Sequence, residues 1–189
     1  MRFTVYYRFD HLNHRQMSPN FTRQSPPQGT VSPPCATANR SAQPAVACII
    51  RFTQFIEWPQ LSTTTDNAFT ICILNAHVIE DAFHEIPAQL KVQNRKLKIQ
   101  RVSNPHAAVK YQILFIPPEQ ANRIGAVHRL LNNKPVLIVS DTPGLAKRGS
   151  IINFVNLNNR LRFEVNPGIA QSAGLSISSR LLKLAIVAP

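Results

Sequence analysis

The chain has 189 residues, with 21 Lys and Arg against nine Asp and Glu, a formal net charge of +12. Apolar residues make up 44% of it, enough to bury a core, so wholesale disorder is excluded. Three cysteines exclude a disulfide scaffold, and the longest apolar run, Ala45 to Ile50, falls far short of the roughly 20 residues that a membrane span needs.

The first 44 residues stand apart. They hold six of the 15 prolines, five Arg and a single acid, Asp10, and Gln, Ser, Thr and Asn fill most of 16–43. Such a composition cannot bury enough apolar surface to offset the entropy of ordering it, so 1–44 is expected to be disordered or weakly ordered. Met1–Phe9 would suit a short strand. No apolar core of about 7–15 residues follows the first Arg, so there is no recognisable signal peptide.

The folded domain is expected over 45–189. Val46, Ile49, Ile50, Thr53 and Ile56 fall at helical spacings and predict an amphipathic helix over Ala45–Glu57, ended by Pro59. Phe69–Leu74 reads as a strand covered on both faces, and His77–Ile86 as a short helix stopped by Pro87. In Arg95–Val102, Lys96, Lys98 and Gln100 alternate with Leu97 and Ile99, the pattern of a half-buried strand. Gln112–Ile116 and Pro135–Val139 read as buried strands, with a helix over Glu119–Leu131 between them. Ile151–Asn156 and Leu161–Asn166, joined by an Asn-rich link, read as a β-hairpin. Leu175–Val187 is predicted as a last helix, capped by Ser178 or Ser179, with Leu181, Leu182, Leu184 and Ala185 on its inner side. Strands alternating with helices predict an α/β class: one three-layer domain with a mostly parallel sheet, a C-terminal β-hairpin and flanking helices.

The motifs that resemble chemistry are incomplete. Asp141-Thr142-Pro143-Gly144 follows an apolar strand, as a metal- and phosphate-sensing segment would. The Gly-x-x-x-x-Gly-Lys-Ser/Thr cradle that such an Asp would serve is missing, which leaves a β-turn. His77, Asp81 and His84 would share a helix face at a metal-binding spacing, but nothing distant completes a ligand set. Cys48 and Cys72 read as core thiols, and neither a Gly-x-Ser-x-Gly elbow nor a His-Glu-x-x-His pair is present. No catalytic, cofactor-binding or metal-binding residue is assigned. Nucleic acid is not expected as a partner: the basic cluster at Lys91–Arg101 has no aromatic residues interleaved and reads as the wet face of a strand. A small enzyme using His77, His84 or Cys72 is the weakest of three functional classes considered, behind a regulatory binding module and a small-molecule sensor.

Several strings occur in a telling order. Phe52-Thr53-Gln54-Phe55-Ile56-Glu57-Trp58-Pro59 closes the first helix, and Tyr111-Gln112-Ile113-Leu114-Phe115-Ile116 makes a central strand. Pro135–Asp141 is followed by Gly149-Ser150-Ile151-Ile152-Asn153-Phe154, then by Phe163-Glu164-Val165-Asn166 and Ala173–Ala185. Together they resemble the YfiR family over roughly 45–189. The resemblance implies a non-catalytic periplasmic protein without cofactors. It would bind the periplasmic sensor domain of an inner-membrane diguanylate cyclase and repress it, lowering cyclic di-GMP and biofilm formation. Self-association into a homodimer is left open, and direct membrane insertion is not expected. The alternative is a periplasmic small-molecule-sensing module.

Candidate partner-binding or structural residues under this resemblance are Trp58, Pro59, Asn153, Phe154, Glu164, Ile169 and Arg180. Trp58 and Pro59 would pin the helix exit over the sheet, and Asn153 and Asn166 would bond the hairpin backbone. Glu164, lying between Phe163 and Val165, needs a donor or a cation, with Arg180 as the candidate. Cys72 is the redox candidate. Family members often carry a Cys just before the Ile-Leu-Phe-Ile strand; Tyr111 and Gln112 stand there instead, so Cys72 lacks the partner the resemblance would give it. Ser150 replaces a Gly of the usual pattern, a mild change. Where the family carries a cleavable signal, this chain has its first 44 residues, which implies an upstream start or an unusual export signal.

Overall fold

A computed structural model describes residues 43–59, 67–75 and 89–189. The expected helix at 77–86 and the expected disorder of 1–44 lie outside the described residues, apart from the last two of those 44. The described residues all fall within one unit, Ser32–Pro189.

The chain alternates helices and strands, as its apolar periodicity requires. Helix α1 spans Gln43–Phe52, and strand β1 is Ile56–Glu57. Strands β2 (Phe69–Leu74), β3 (Lys91–Val92), β4 (Arg95–Val102) and β5 (Ile113–Ile116) follow. Then come α2 (Ile124–Leu131), β6 (Leu137–Ser140), β7 (Ile152–Leu157) and β8 (Arg160–Val165). Helix α3 (Pro167–Ser172), β9 (Ser176–Ile177), α4 (Ser179–Leu182) and β10 (Ile186–Val187) complete the fold.

Eight strands form one sheet in the order β10-β8-β7-β6-β5-β2-β4-β3. The five central strands β4, β2, β5, β6 and β7 are mutually parallel, with β3 and β8 antiparallel to their neighbours at either side. Successive side chains of a strand point to opposite faces, and here both faces are covered. Phe69, Ile71 and Ile73 of β2 join Ile113, Phe115, Leu137 and Val139 in a core under α1. Cys72, Leu114, Ile116 and Ile138 point the other way, into a second core with Ile124, Val127 and Leu131 of α2. The expected three-layer α/β architecture is therefore the observed one, and the apolar runs without alternation are its central strands.

The β7–β8 hairpin is as expected but tighter. Asn158 and Asn159 alone turn the chain, with φ of 51° and 59°. Left-handed conformations at both central positions are what a two-residue hairpin needs, and Asn tolerates them. Strand β4 keeps its predicted alternation, with Leu97 and Ile99 half-buried between exposed Lys96, Lys98 and Gln100.

Four expectations are corrected. The first helix stops at Phe52 and passes through a 3-10 turn at Thr53–Phe55. Ile56–Glu57 then extends and pairs antiparallel with β9, 120 residues on, a contact that helical spacing cannot reveal. Gln93 Nε2 holds this exit by donating to the carbonyls of Thr53 at 3.1 Å and Ile56 at 3.3 Å. The helix expected over Glu119–Leu131 begins as a 3-10 segment, Pro118–Arg123, and is α-helical only from Ile124. The last helix, expected over Leu175–Val187, is a single α-turn between two short strands. Ser178 does cap it, its side chain accepting from the Arg180 N–H, but the chain then leaves to join the sheet beside β8. Leu184, expected inside, is 51% exposed in consequence. Finally, α3 was not anticipated, although Asn166-Pro167 is a helix-start signal: Asn166 Oδ1 accepts from the Ile169 N–H and Pro167 opens the helix.

Candidate functional site

Where β6, β7 and β8 lie side by side, polar side chains form a chain through an otherwise apolar sheet. Ser140 and Asn153 are register partners on β6 and β7, and Asn153 and Glu164 are partners on β7 and β8. Ser140 Oγ donates to Asn153 Oδ1 at 2.7 Å, and Asn153 Nδ2 donates to Glu164 Oε2 at 2.9 Å. Ser150 Oγ lies 2.9 Å from Ser140 Oγ and donates to the Ile152 carbonyl at 2.7 Å. Ser140, Ser150 and Asn153 are wholly buried. Each buried polar group here has a partner, so the network costs little and holds three strands in one register.

This corrects three readings. Asn153 bonds side chains, not the hairpin backbone. The donor to Glu164 is Asn153, while Arg180 is exposed on α4 and bonds none of the described carboxylates. Ser150 is no mild replacement for Gly but a buried member of the network. Asn166 does not bond the hairpin backbone either: it donates to carbonyls outside the hairpin, those of Ala146 at 3.0 Å and Pro189 at 2.9 Å.

Just past the C-terminal end of β6 comes a less settled group. Asp141 Oδ1 and Thr142 Oγ1 are both buried and have no hydrogen-bond partner among the described residues. The following turn is the expected one: the Leu145 N–H donates to the Thr142 carbonyl at 3.3 Å, with Pro143 at the corner and Gly144 at φ 82°. Burial pushes the Asp141 carboxyl up from its ordinary 3.8 to about 6, its own backbone N–H opposes this, and the charge of Glu119 adds to it. The folded state thus binds this proton more tightly than the unfolded state. The stability it contributes is full below about pH 4 and lost as pH rises through about 6. Asp141→Asn is expected to stabilise the protein near pH 7.5 and to change little near pH 4. Urea unfolding across that range measures it; an equal effect at both ends would show that Asp141 does not titrate with folding.

The other candidate residues are placed as follows. Trp58 is 9% exposed and packs edge-on against Phe69 of β2, ring centroids 5.5 Å apart, so it does pin the exit of α1 to the central strand. Its Nε1 is buried with no partner among the described residues. Pro59 next to it is exposed. Phe154 is buried and stacks on Phe52 of α1, while Ile169 is half-buried on α3 against the same core. Cys72 is a free thiol with no exposed surface; burial pushes it up to about 12, which keeps it protonated and unreactive at neutral pH. Cys48 is not the free core thiol expected: it is disulfide-bonded. Among the described residues no group of three or more His, Cys, Asp or Glu could hold a metal ion, and no helix is long and apolar enough to cross a membrane. The His77, Asp81 and His84 face lies outside the described residues.

The sequence profile of the YfiR/HmsC-like family matches residues 42–186, all but the tail and the last three residues of the chain. The chain belongs to the YfiR/HmsC-like family. At the level of that family it is a periplasmic signalling regulator of cyclic di-GMP. The described part of the YfiR-like region is the three-layer domain set out above. No curated protein matches the chain. Among the solved structures that are similar is one described as the ABC domain in complex with L-Trp from Streptococcus pneumonia, at 13% identity and a TM-score of 0.49. The similarity covers 73% of this chain and 59% of that one, so the chain spans well under two thirds of that protein.

Proposed function

We propose that this protein binds the periplasmic sensor domain of an inner-membrane diguanylate cyclase and holds the cyclase inactive. Binding would lower cyclic di-GMP and so biofilm formation, with residues 45–189 forming the regulatory domain. Membership of the YfiR/HmsC-like family over 42–186 carries this reading. No catalytic step is assigned to it. Its positive charge suits an acidic partner surface or the anionic face of the inner membrane, and would speed encounter with either. The test is direct. The full chain and the periplasmic domain of the cyclase encoded nearest to it are purified and titrated by calorimetry, under reducing and oxidising conditions. A saturable complex is expected, together with lower cyclic di-GMP in cells expressing both proteins. No association under either condition would overturn the proposal.

A second reading has one observation in its favour. Open α/β sheets take ligands at the carboxyl ends of their parallel strands, and the unpartnered Asp141 and Thr142 oxygens lie there, beyond β6. A small polar molecule donating to both would make this a sensing module. A ligand-dependent rise in Tm that Asp141→Ala abolishes is the expected result, and a Tm indifferent to a library of small periplasmic metabolites would remove this reading.

A further inference from the structure

One long edge of the sheet is only partly closed. Strand β8 runs from Arg160 to Val165, yet its outer neighbour β10 pairs with it only at Glu164 and Val165. Among the described residues nothing pairs with the outer side of Arg160–Phe163.

The register says which backbone groups are left over. The two-residue turn makes Leu157 and Arg160 a hydrogen-bonded pair, and such pairs alternate along an antiparallel ladder. Arg160, Arg162 and Glu164 therefore bond inward to β7, and Leu161, Phe163 and Val165 direct their N–H and C=O outward. The Ala188 N–H donating to the Val165 carbonyl at 2.8 Å agrees with this direction. Beyond the reach of β10, the backbone of Leu161 and the N–H of Phe163 have no strand to bond.

The side chains along this edge have a definite character. Leu161 and Phe163 point toward α1 and are half-buried, the Phe163 ring 4.6 Å from that of Phe52. On the opposite face Arg160 and Arg162 are exposed, and their cross-strand partners are Leu157, 48% exposed, and Val155, half-buried. The hairpin tip thus pairs an open hydrogen-bonding edge with a face of alternating cations and apolar groups, uncovered by any described element. The one acid of β8, Glu164, is bonded to Asn153 and lies where β10 pairs with β8.

We propose that the open edge of β8 is a docking site for an extended segment of the partner, which adds as a further strand beside Arg160–Phe163. The segment is acidic and apolar in alternation, its carboxylates meeting Arg160 and Arg162 while its backbone bonds Leu161 and Phe163. A second copy of this chain is disfavoured as the occupant. Two β8 edges pairing antiparallel about Leu161 would set Arg160 of one against Arg162 of the other, and like charges directly opposite are destabilising. The proposal rests on the binding function above and names the surface that carries it.

The experiment uses the full chain and the purified periplasmic domain of the cyclase. Amide hydrogen exchange is followed with and without that domain, and affinity is measured for the wild type and for Arg160→Glu/Arg162→Glu. Both substituted side chains are exposed, so the variant keeps the β7–β8 ladder, and its Tm checks this. Expected are slowed exchange at Leu161 and Phe163 in the complex and a fall in affinity of at least about tenfold in the variant, as two lost charge contacts imply. A complex that forms with unchanged exchange at those amides, or that binds the variant as tightly, overturns the edge site and leaves the binding function standing. No complex at all overturns the binding function, and this occupant with it. Slowed exchange on concentrating the chain alone identifies a second copy as the occupant and also overturns the proposal.

Discussion

Phe52→Ala is expected to remove about 4 kcal/mol of folding stability, the largest loss from any one side chain of α1. Phe52 is the last residue of that helix and is 6% exposed. Its ring stacks on Phe154 of β7, centroids 5.9 Å apart and planes 18° apart, and meets Phe163 of β8 at 4.6 Å and 45°. The loss combines the transfer of a large apolar side chain, a cavity that three rings no longer fill, and two aromatic contacts. Because Phe154 and Phe163 are themselves cross-strand partners, one truncation loosens both α1 and the base of the hairpin. Urea unfolding monitored by circular dichroism measures it. A loss below about 1 kcal/mol would mean that α1 is held by its other contacts and that the cluster is incidental.

Asn153→Asp is expected to cost about 3 kcal/mol near pH 7, although the two side chains have almost the same shape. The amide is needed at both ends: its oxygen accepts from Ser140 and its nitrogen donates to Glu164. Asp keeps the first bond, deletes the second, and sets a buried carboxylate about 3 Å from another. Two carboxyls at that distance share a proton, so the pair takes one up in the folded state at a pH where the unfolded chain does not. Stability of the variant should therefore recover as pH falls toward about 4, in the opposite sense to ordinary acid denaturation. Unfolding curves near pH 7.5 and pH 4.5 test this. A deficit independent of pH would show that the lost hydrogen bond, not the new charge, accounts for it.

The fold was legible wherever a local rule carried it. Phe69–Leu74, Ile113–Ile116 and Leu137–Ser140 are apolar without alternation because both of their faces are covered, and that pattern is written in the residues themselves. The Asn158-Asn159 turn and the Ser178 cap were readable for the same reason, since backbone conformation and short hydrogen bonds depend on immediate neighbours. The site was less legible. Glu164 reads as needing a donor or a cation and Asn153 as bonding backbone, but which partners they take depends on the register between β6, β7 and β8. Ser140 carries no signal at all, since a serine in an apolar strand looks the same whether it is a packing defect or part of a network, and Ser150 stands out only as a replacement for Gly.

Sequence alone determined the α/β class, the central strands, the hairpin and the likeness to the YfiR/HmsC-like family. These follow from period-2 and period-3.6 patterning and from the order of short strings, all properties of neighbours in the chain. Only the tertiary structure decided that the two ends of the expected helices are strands. Ile56–Glu57 pairs with Ser176–Ile177, and Ile186–Val187 with Glu164–Val165. Two-residue strands have no periodicity of their own, so long-range pairing alone distinguishes them from helix. The same pairing sets how far β10 reaches along β8, and so leaves the edge at Arg160–Phe163 open.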